Sequence, residues 1–140
     1  MSPASITDVH EGQDLPPLEI PVTAALVIGG AIVSRDFQDV HHDRDAARER
    51  GVRDVFMNIL TTNGLVGRYV TDWAGADAVL RKVAIRLGQP NFPGDTMRMT
   101  GRVAEVDPAT GRVRVEVRGA NSAGDHVTGT IELELPAAAR

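Results

Sequence analysis

The densest chemistry in the chain lies in one short run, Ser34-Arg35-Asp36-Phe37-Gln38-Asp39-Val40-His41-His42-Asp43. Three carboxylates and two imidazoles fall within the eight residues from Asp36 to Asp43, directly after an apolar stretch. A carboxylate and an imidazole in a tight loop, such as Asp36 and His41, can converge on one water or one substrate atom. That is the requirement of general acid–base chemistry. The same residues have plainer uses. Asp39 or Asp43 can cap a following helix, and a His-His-Asp cluster can be no more than a solvated loop. Metal binding is a third use, although adjacent histidines do not readily turn both rings onto one ion, and no third histidine is near.

Such a loop needs rigid elements on either side. Residues 1–14 are polar and patternless, which reads as a loose N-terminal arm ahead of one domain over residues 15–140. Leu15 to Val22 is proline-rich and extended, suited to an edge strand or a lead-in. Thr23 can cap a helix over Ala24 to Val33. Gly29 and Gly30 each weaken that helix by about 1 kcal/mol relative to alanine, so a strand over Leu26 to Val33 stays open. After the loop, a short charged helix through Ala46 to Arg50 closes at Gly51. Phe56, Ile59, Leu60, Val66 and Val70 then recur close to a 3.6 period, predicting a long buried helix up to Trp73 in which Gly64 and Gly67 permit a close approach.

The period then changes. Val79 to Leu87 alternates from Val83 onward, and Met97 to Val106 follows the turn signal Pro93-Gly94-Asp95. Asp107 to Gly111 reads as a hairpin loop. Arg112 to Arg118 and Thr128 to Leu135 alternate strictly, so one face of each is buried and the other wet. Helices followed by an antiparallel meander make an α+β layout, with the sheet wrapping the long helix to bury its apolar face.

Composition excludes several classes of function. The 140 residues carry a formal net charge of −4 with acids and bases mixed, 42% hydrophobic residues and only 4% aromatics. Neither a nucleic-acid groove nor a stacking platform is indicated, nor a charged membrane patch. The absence of cysteine removes disulfides, thiolate chemistry and cysteine-ligated zinc. The first residues lack the basic region and apolar run of a signal peptide, and the longest apolar run, Ala24 to Val33, is about half a membrane span. A soluble, cytoplasmic protein is expected.

The order of residues in the loop adds a resemblance. Ser34 to Asp43, followed by Ala46-Ala47 and Gly51, resembles the hydratase motif of MaoC-like (R)-specific enoyl-CoA hydratases: Ser-Gly-Asp-aromatic-Asn-Pro-aliphatic-His-x-Asp, then Ala and Gly. The capped helix from Thr23, Pro93-Gly94-Asp95-Thr96, and Asn121 to Val127 with Gly129 fit the same family in the same order. Arg35 to Asp45, Asn58-Ile59-Leu60-Thr61, Gly64-Leu65 and Arg68 to Gly75 further resemble the small subunit of actinobacterial steroid side-chain enoyl-CoA hydratases. Three departures stand out against the wider family: Arg35 for glycine, Gln38-Asp39 for Asn-Pro, and Met57-Asn58 for His-Gly.

The resemblance implies a hot-dog fold, in which an antiparallel sheet wraps a long central helix. It implies hydration of the α,β double bond of an enoyl-CoA, here with a steroid side chain. Asp36 and His41 would hold the water and share the proton transfers. Backbone N–H groups of Asn58 and Ile59 at the helix N-terminus would face the thioester oxygen. No metal or redox cofactor is implied, because coenzyme A arrives as part of the substrate. Arg81, Lys82 and Arg86 are candidates for its phosphates, but alternating charges on a strand are more often its solvated face, so none is assigned. A second MaoC-like subunit would complete a heterodimer or heterotetramer, with a homodimer as the simpler assembly. His42 and His126 carry no expected role, His126 reading as part of a terminal hairpin. Two rival functions share the fold: a hot-dog thioesterase, for which no matching motif is present, and a non-catalytic acyl-CoA-binding subunit, which would not need both Asp36 and His41.

Overall fold

The computed structural model describes residues 5–137. In chain order the elements are β1 (Asp14–Pro21), α1 (Ala24–Val33), α2 (Arg44–Glu49), α3 (Ile59–Ala74), β2 (Val79–Leu87), β3 (Thr96–Asp107), β4 (Arg112–Asn121) and β5 (Gly124–Glu134). Single 3-10 turns occur at Ile6–Asp8 and Asp39–His41. The five strands form one antiparallel sheet in the order β1-β3-β4-β5-β2.

Strict alternation decides which face of the sheet is dry. Val113, Val115 and Val117 on β4 are buried, as are Met97, Met99 and Val103 on β3 and Ile131 and Leu133 on β5. They pack in one core with Val66, Tyr69, Val70 and Trp73 along α3. Between them on β4, Arg112, Glu116 and Arg118 face water. The sheet thus buries one face against a single long helix, as its period predicts.

Several expectations are corrected. Residues 5–13 do not form a loose arm: Ile6 and Val9 are buried, and Gly12 N–H donates to Val103 O while Val103 N–H donates to Gln13 O, both at 2.8 Å. Residues 1–4 lie outside the described residues. Leu26 to Val33 is helical, its first turn capped by the Thr23 hydroxyl accepting from Leu26 N–H at 3.0 Å. Phe56 and Met57 precede α3 instead of opening it, and Ile59 and Leu60 in its first turn are about half exposed. The close helix approach falls at Gly30, where a Cβ would sit 2.2 Å from Thr61 Oγ1; Gly64 has nothing within 4 Å, and Gly67 only an ordinary contact with Leu80. A glycine in a helical pattern marks a potential contact without saying which helix supplies it.

The sheet's two edges differ. On β1, Pro16, Pro17 and Pro21 remove N–H donors and a register shift falls between Leu15 and Leu18. β2 has no proline, and Val79, Leu80 and Leu87 on it are exposed.

Candidate active site

The end of α1 delivers Asp36. Arg35 N–H donates to Ile32 O at 3.1 Å and Asp36 N–H to Ala31 O at 2.9 Å. These two reversed bonds make a Schellman motif with Arg35 at the left-handed position, φ 56°, where glycine is usual. A side chain there costs about 1–2 kcal/mol. Arg35 is the only non-glycine residue with positive φ among the described residues. Asp36 is therefore held directly after the left-handed residue that closes the helix, only partly exposed.

His41 arrives by a different route. The 3-10 turn Asp39–His41 rotates its ring inward until it is 6% exposed. Its Nδ1 lies 2.7 Å from the Phe56 carbonyl oxygen, which has no proton to give, so Nδ1–H donates and Nε2 keeps its lone pair. The Phe56 ring meets the imidazole edge to face at 4.7 Å. Nε2 then faces Asp36 Oδ2 at 3.5 Å. Both atoms are acceptors in this state, and a water beside them can donate to both.

The rest of the loop is fastened around this pair. Asp43 is the acid that caps α2, accepting from Asp45 N–H at 3.0 Å and Ala46 N–H at 3.1 Å. Asp39 is engaged by Arg50 at 2.9 Å, and Arg44 reaches Asp54 at 2.9 Å. His42 points away from the pair, its Nε2 at 3.2 Å from the Phe37 carbonyl. Among the described residues no group of three His, Asp or Glu side chains is placed to hold a metal ion.

Asn58 has a place that its sequence position did not reveal. It caps α3, its Oδ1 accepting from Thr61 N–H at 3.1 Å and from the Thr61 hydroxyl at 2.5 Å. Its Nδ2 donates to Asp36 Oδ2 at 3.1 Å and to Ser34 Oγ at 2.9 Å. The expectation attached only backbone donors to this residue, whereas the side chain grips the candidate base. That hydrogen bond is the largest influence on Asp36 and holds its carboxyl below the usual range, against the opposing effect of burial. The Gln38 N–H and the nearby imidazoles add to the lowering. Asp36 is thus an ionised acceptor at neutral pH. The N–H groups of Asn58, Ile59 and Leu60 make no hydrogen bond to any described residue, as first-turn donors do until a ligand or water meets them.

Ser34 and the Phe56 carbonyl were not singled out in sequence. Ser34 accepts from Asn58 and donates to Gly30 O at 2.6 Å. A polar residue at a helix end facing a later Asn is the only signal it offers.

His126 lies in the β4–β5 hairpin, as expected, but inside the core. It is 1% exposed, with Nδ1–H donating to Gln89 O at 2.7 Å and Nε2 accepting from the Thr62 hydroxyl at 2.8 Å. Burial depresses its pKa, a backbone hydrogen bond opposing. Of the cations considered for phosphates, Arg81 is spent on Glu134 at 2.5 Å.

A five-stranded antiparallel sheet curled over one long helix, with an acid–imidazole pair where that helix begins, is the hot-dog architecture of hydratases. The chain belongs to the MaoC-like family, matching the MaoC like domain over residues 7–125. It is 47% identical over 124 residues to the 3-oxo-4,17-pregnadiene-20-carboxyl-CoA hydratase beta subunit of Mycobacterium tuberculosis, covering 89% of this chain and 95% of that one. It is similar to a chain of the ChsH1-ChsH2 complex from the same organism, at 46% identity and a TM-score of 0.87 over 90% of this chain and 98% of that one. The R-hydratase PhaJ1 of Pseudomonas aeruginosa shares the fold at 22% identity, with a TM-score of 0.87 over 95% of this chain and 86% of that one.

Proposed function

We propose that this chain is the catalytic MaoC-like subunit of an enoyl-CoA hydratase whose substrate carries a steroid side-chain thioester. The observation that carries the reading is the 3.5 Å approach of Asp36 Oδ2 to His41 Nε2, two acceptors to which one water beside them can donate. Hydration needs that water at Cβ, a proton for Cα, and donors for the thioester oxygen as it gains enolate character. The water gives its proton to the Asp36/His41 pair as its oxygen bonds to Cβ. The pair returns a proton to Cα, so the protein ends unchanged. The unpaired N–H groups of Asn58 and Ile59 suit the oxyanion, where one donor is worth roughly 10²–10³ in rate. This reading asks for no cofactor, since coenzyme A is carried by the substrate.

Substrate class and partner follow from the relatives. The similarity to a pregnadiene carboxyl-CoA hydratase subunit supports a steroid acyl group, and the similarity to a chain of a two-component complex supports a second, unlike MaoC-like subunit. Exposed Ile32, Val33, Phe37, Ile59 and Leu60 flank the site residues in sequence, and the proline-free β2 edge is open. A partner there would close an acyl channel and cover an unpaired strand. No described helix is long and apolar enough to cross a membrane, and an acyl-CoA substrate supports a cytoplasmic location with the coenzyme A pool.

The test follows absorbance of the conjugated enoyl thioester, with short-chain and steroid-bearing CoA esters, with and without the partner subunit. Loss of absorbance on the steroid ester, strongest with both subunits, is expected. Release of free CoA from a saturated ester instead would replace this reading with thioester hydrolysis. Full steroid hydration by this chain alone, unchanged by the partner, would remove the heteromer.

A further inference from the structure

The extended segment Phe56-Met57-Asn58 organises both members of the pair. Its Phe56 carbonyl orients His41, and its Asn58 side chain grips Asp36. From the loop side, Phe56 N–H is tied to Val40 O at 3.3 Å. From the sheet side the segment is tied by Met57 N–H donating to Asn91 O at 3.1 Å. Asn91 lies between β2 and β3 and is wholly buried.

The Asn91 side chain is poorly matched to its surroundings. Its Nδ2 meets only thioether sulfurs, Met97 Sδ at 3.2 Å and Met57 Sδ at 3.8 Å, and thioethers are weak acceptors. Its Oδ1 is well met, accepting from Asn121 Nδ2 at 2.8 Å. Asn121 also donates to Pro90 O at 3.0 Å, and its own Oδ1 accepts from Ala123 N–H at 2.9 Å in the β4–β5 turn. An apolar residue would suit the two methionines, but at position 91 alone it takes one acceptor from Asn121 Nδ2, which keeps Pro90 O at 3.0 Å and so limits the cost of the orphaned donor. The amide nitrogen thus adds little to stability, and the role of the side chain falls to its Oδ1. Together with Pro90 O, that Oδ1 joins the residue 90–91 backbone through Asn121 to the β4–β5 turn, and so helps to fix the carbonyl that receives Met57.

We infer that Asn91, braced by Asn121, is a positioning residue for hydration: it fixes segment 56–58 so that Phe56 and Asn58 hold His41 and Asp36 in register. The inference rests on the proposed function for its rate consequences but not for its geometry, and two readouts separate them. Asn91→Leu and Asn121→Ala are made in this chain, assembled with its partner. Melting temperature, kcat and KM for the steroid enoyl-CoA, and the His41 ring nitrogens by NMR are measured.

Asn91→Leu is expected to melt within a few degrees of the parent, lose at least about tenfold in kcat with little change in KM, and lose the single Nδ1–H tautomer of His41. A plain core residue would move melting temperature and leave the tautomer alone. If Asn91→Leu does not fold, Asn121→Ala removes the same brace from a partly exposed site and decides the question. A folded variant with parental kcat and an unchanged His41 tautomer overturns the inference. If the parent protein hydrates nothing, the functional reading fails by itself and the tautomer still decides the positioning role.

Discussion

His41 and His126 are the two buried histidines among the described residues, and their rings are held in nearly the same way. Each is under a tenth exposed, and each donates from Nδ1 to a backbone carbonyl at 2.7 Å, that of Phe56 or of Gln89. Both therefore carry the lone pair on Nε2. The difference lies in what Nε2 meets. For His126 it is the Thr62 hydroxyl at 2.8 Å, a donor that completes the ring's hydrogen bonds and leaves nothing for a substrate. For His41 it is a carboxylate at 3.5 Å, an acceptor that cannot complete them. One ring is a finished strut between β5 and α3. The other is an unfinished pair that a water would finish. A buried histidine is thus read from its second nitrogen, the first being the same in both.

The largest effects should come from breaking the unfinished pair. Asp36→Asn and His41→Ala are each expected to lower steady-state hydration by roughly 10²–10⁴, the usual reach of general acid–base groups, with His41→Ala alone also losing stability because it empties a buried ring site and unpairs the Phe56 carbonyl. Either variant turning over normally, while folded, would remove the pair from the mechanism.

His126→Ala should do the reverse. It leaves a cavity, unpairs Gln89 O and leaves the Thr62 hydroxyl only its longer bond to Asn58 O, costing about 2–4 kcal/mol of stability in a denaturant titration. Turnover per folded molecule well below the melting temperature should fall far less than in the His41 variant. The same ring gives a pH signature. Its folded pKa is depressed below 6.5 by burial, so its neutral form favours the fold. That stability is complete above pH 6.5 and is lost as pH falls from there through the folded value, because the unfolded chain takes up the proton first. Melting temperature should drop over that window, and His126→Gln should flatten the drop. A drop that persists unchanged in His126→Gln would assign it to other groups.

Asn58→Asp sharpens the contrast from the carboxylate side. It keeps an oxygen to cap α3 but removes the amide that donates to Asp36 and sets a like charge beside it, which raises a carboxyl pKa. The acid limb of the pH–rate profile should move upward and the plateau should fall by about tenfold, the loss of about 1.4 kcal/mol of stabilisation. An unmoved acid limb would show that Asn58 serves only as a cap.

The loop chemistry was legible in sequence because its order is unusual: Asp36, His41 and the capping Asp43 stand at recognisable intervals, and Thr23 and Gly51 bracket the helices around them. The alternation of Val113, Val115 and Val117 likewise revealed the dry face of the sheet. What stayed hidden depends on distant contacts. His126 shares its parity with Thr128 and Thr130, yet both His126 and Val127 are buried, because His126 is the extra residue of a β5 bulge: Gly119 faces Val127 and the next residue, Ala120, faces Asp125. No local pattern announces that bulge. Asn58's side chain was missed for a similar reason: its partners, Ser34 and Asp36, lie more than twenty residues away. Ile6 and Val9 looked like isolated apolar residues in a polar arm, and only the Gln13–Val103 pairing shows what they cover.

The smallest expected effect tests the most delicate assignment, the choice between adjacent histidines. Composition cannot separate His41 from His42. The backbone does: the 3-10 turn ends at His41 and turns its ring inward, while His42, at φ −142° and ψ −12°, points its ring back along the loop. There His42 makes one exposed hydrogen bond, to the Phe37 carbonyl at 3.2 Å. Such a bond contributes about 0.5–1.5 kcal/mol, and the loop keeps its other fastenings at Asp39, Asp43 and Asp54 without it. His42 also helps to lower the Asp36 pKa, but last among the causes. His42→Ala should therefore change kcat by no more than about threefold, less than 1 kcal/mol in the barrier, and shift the acid limb only slightly. A loss matching that of His41→Ala would mean that the two rings exchange roles when substrate binds, and the distinction drawn from Nε2 would then hold only for the free protein.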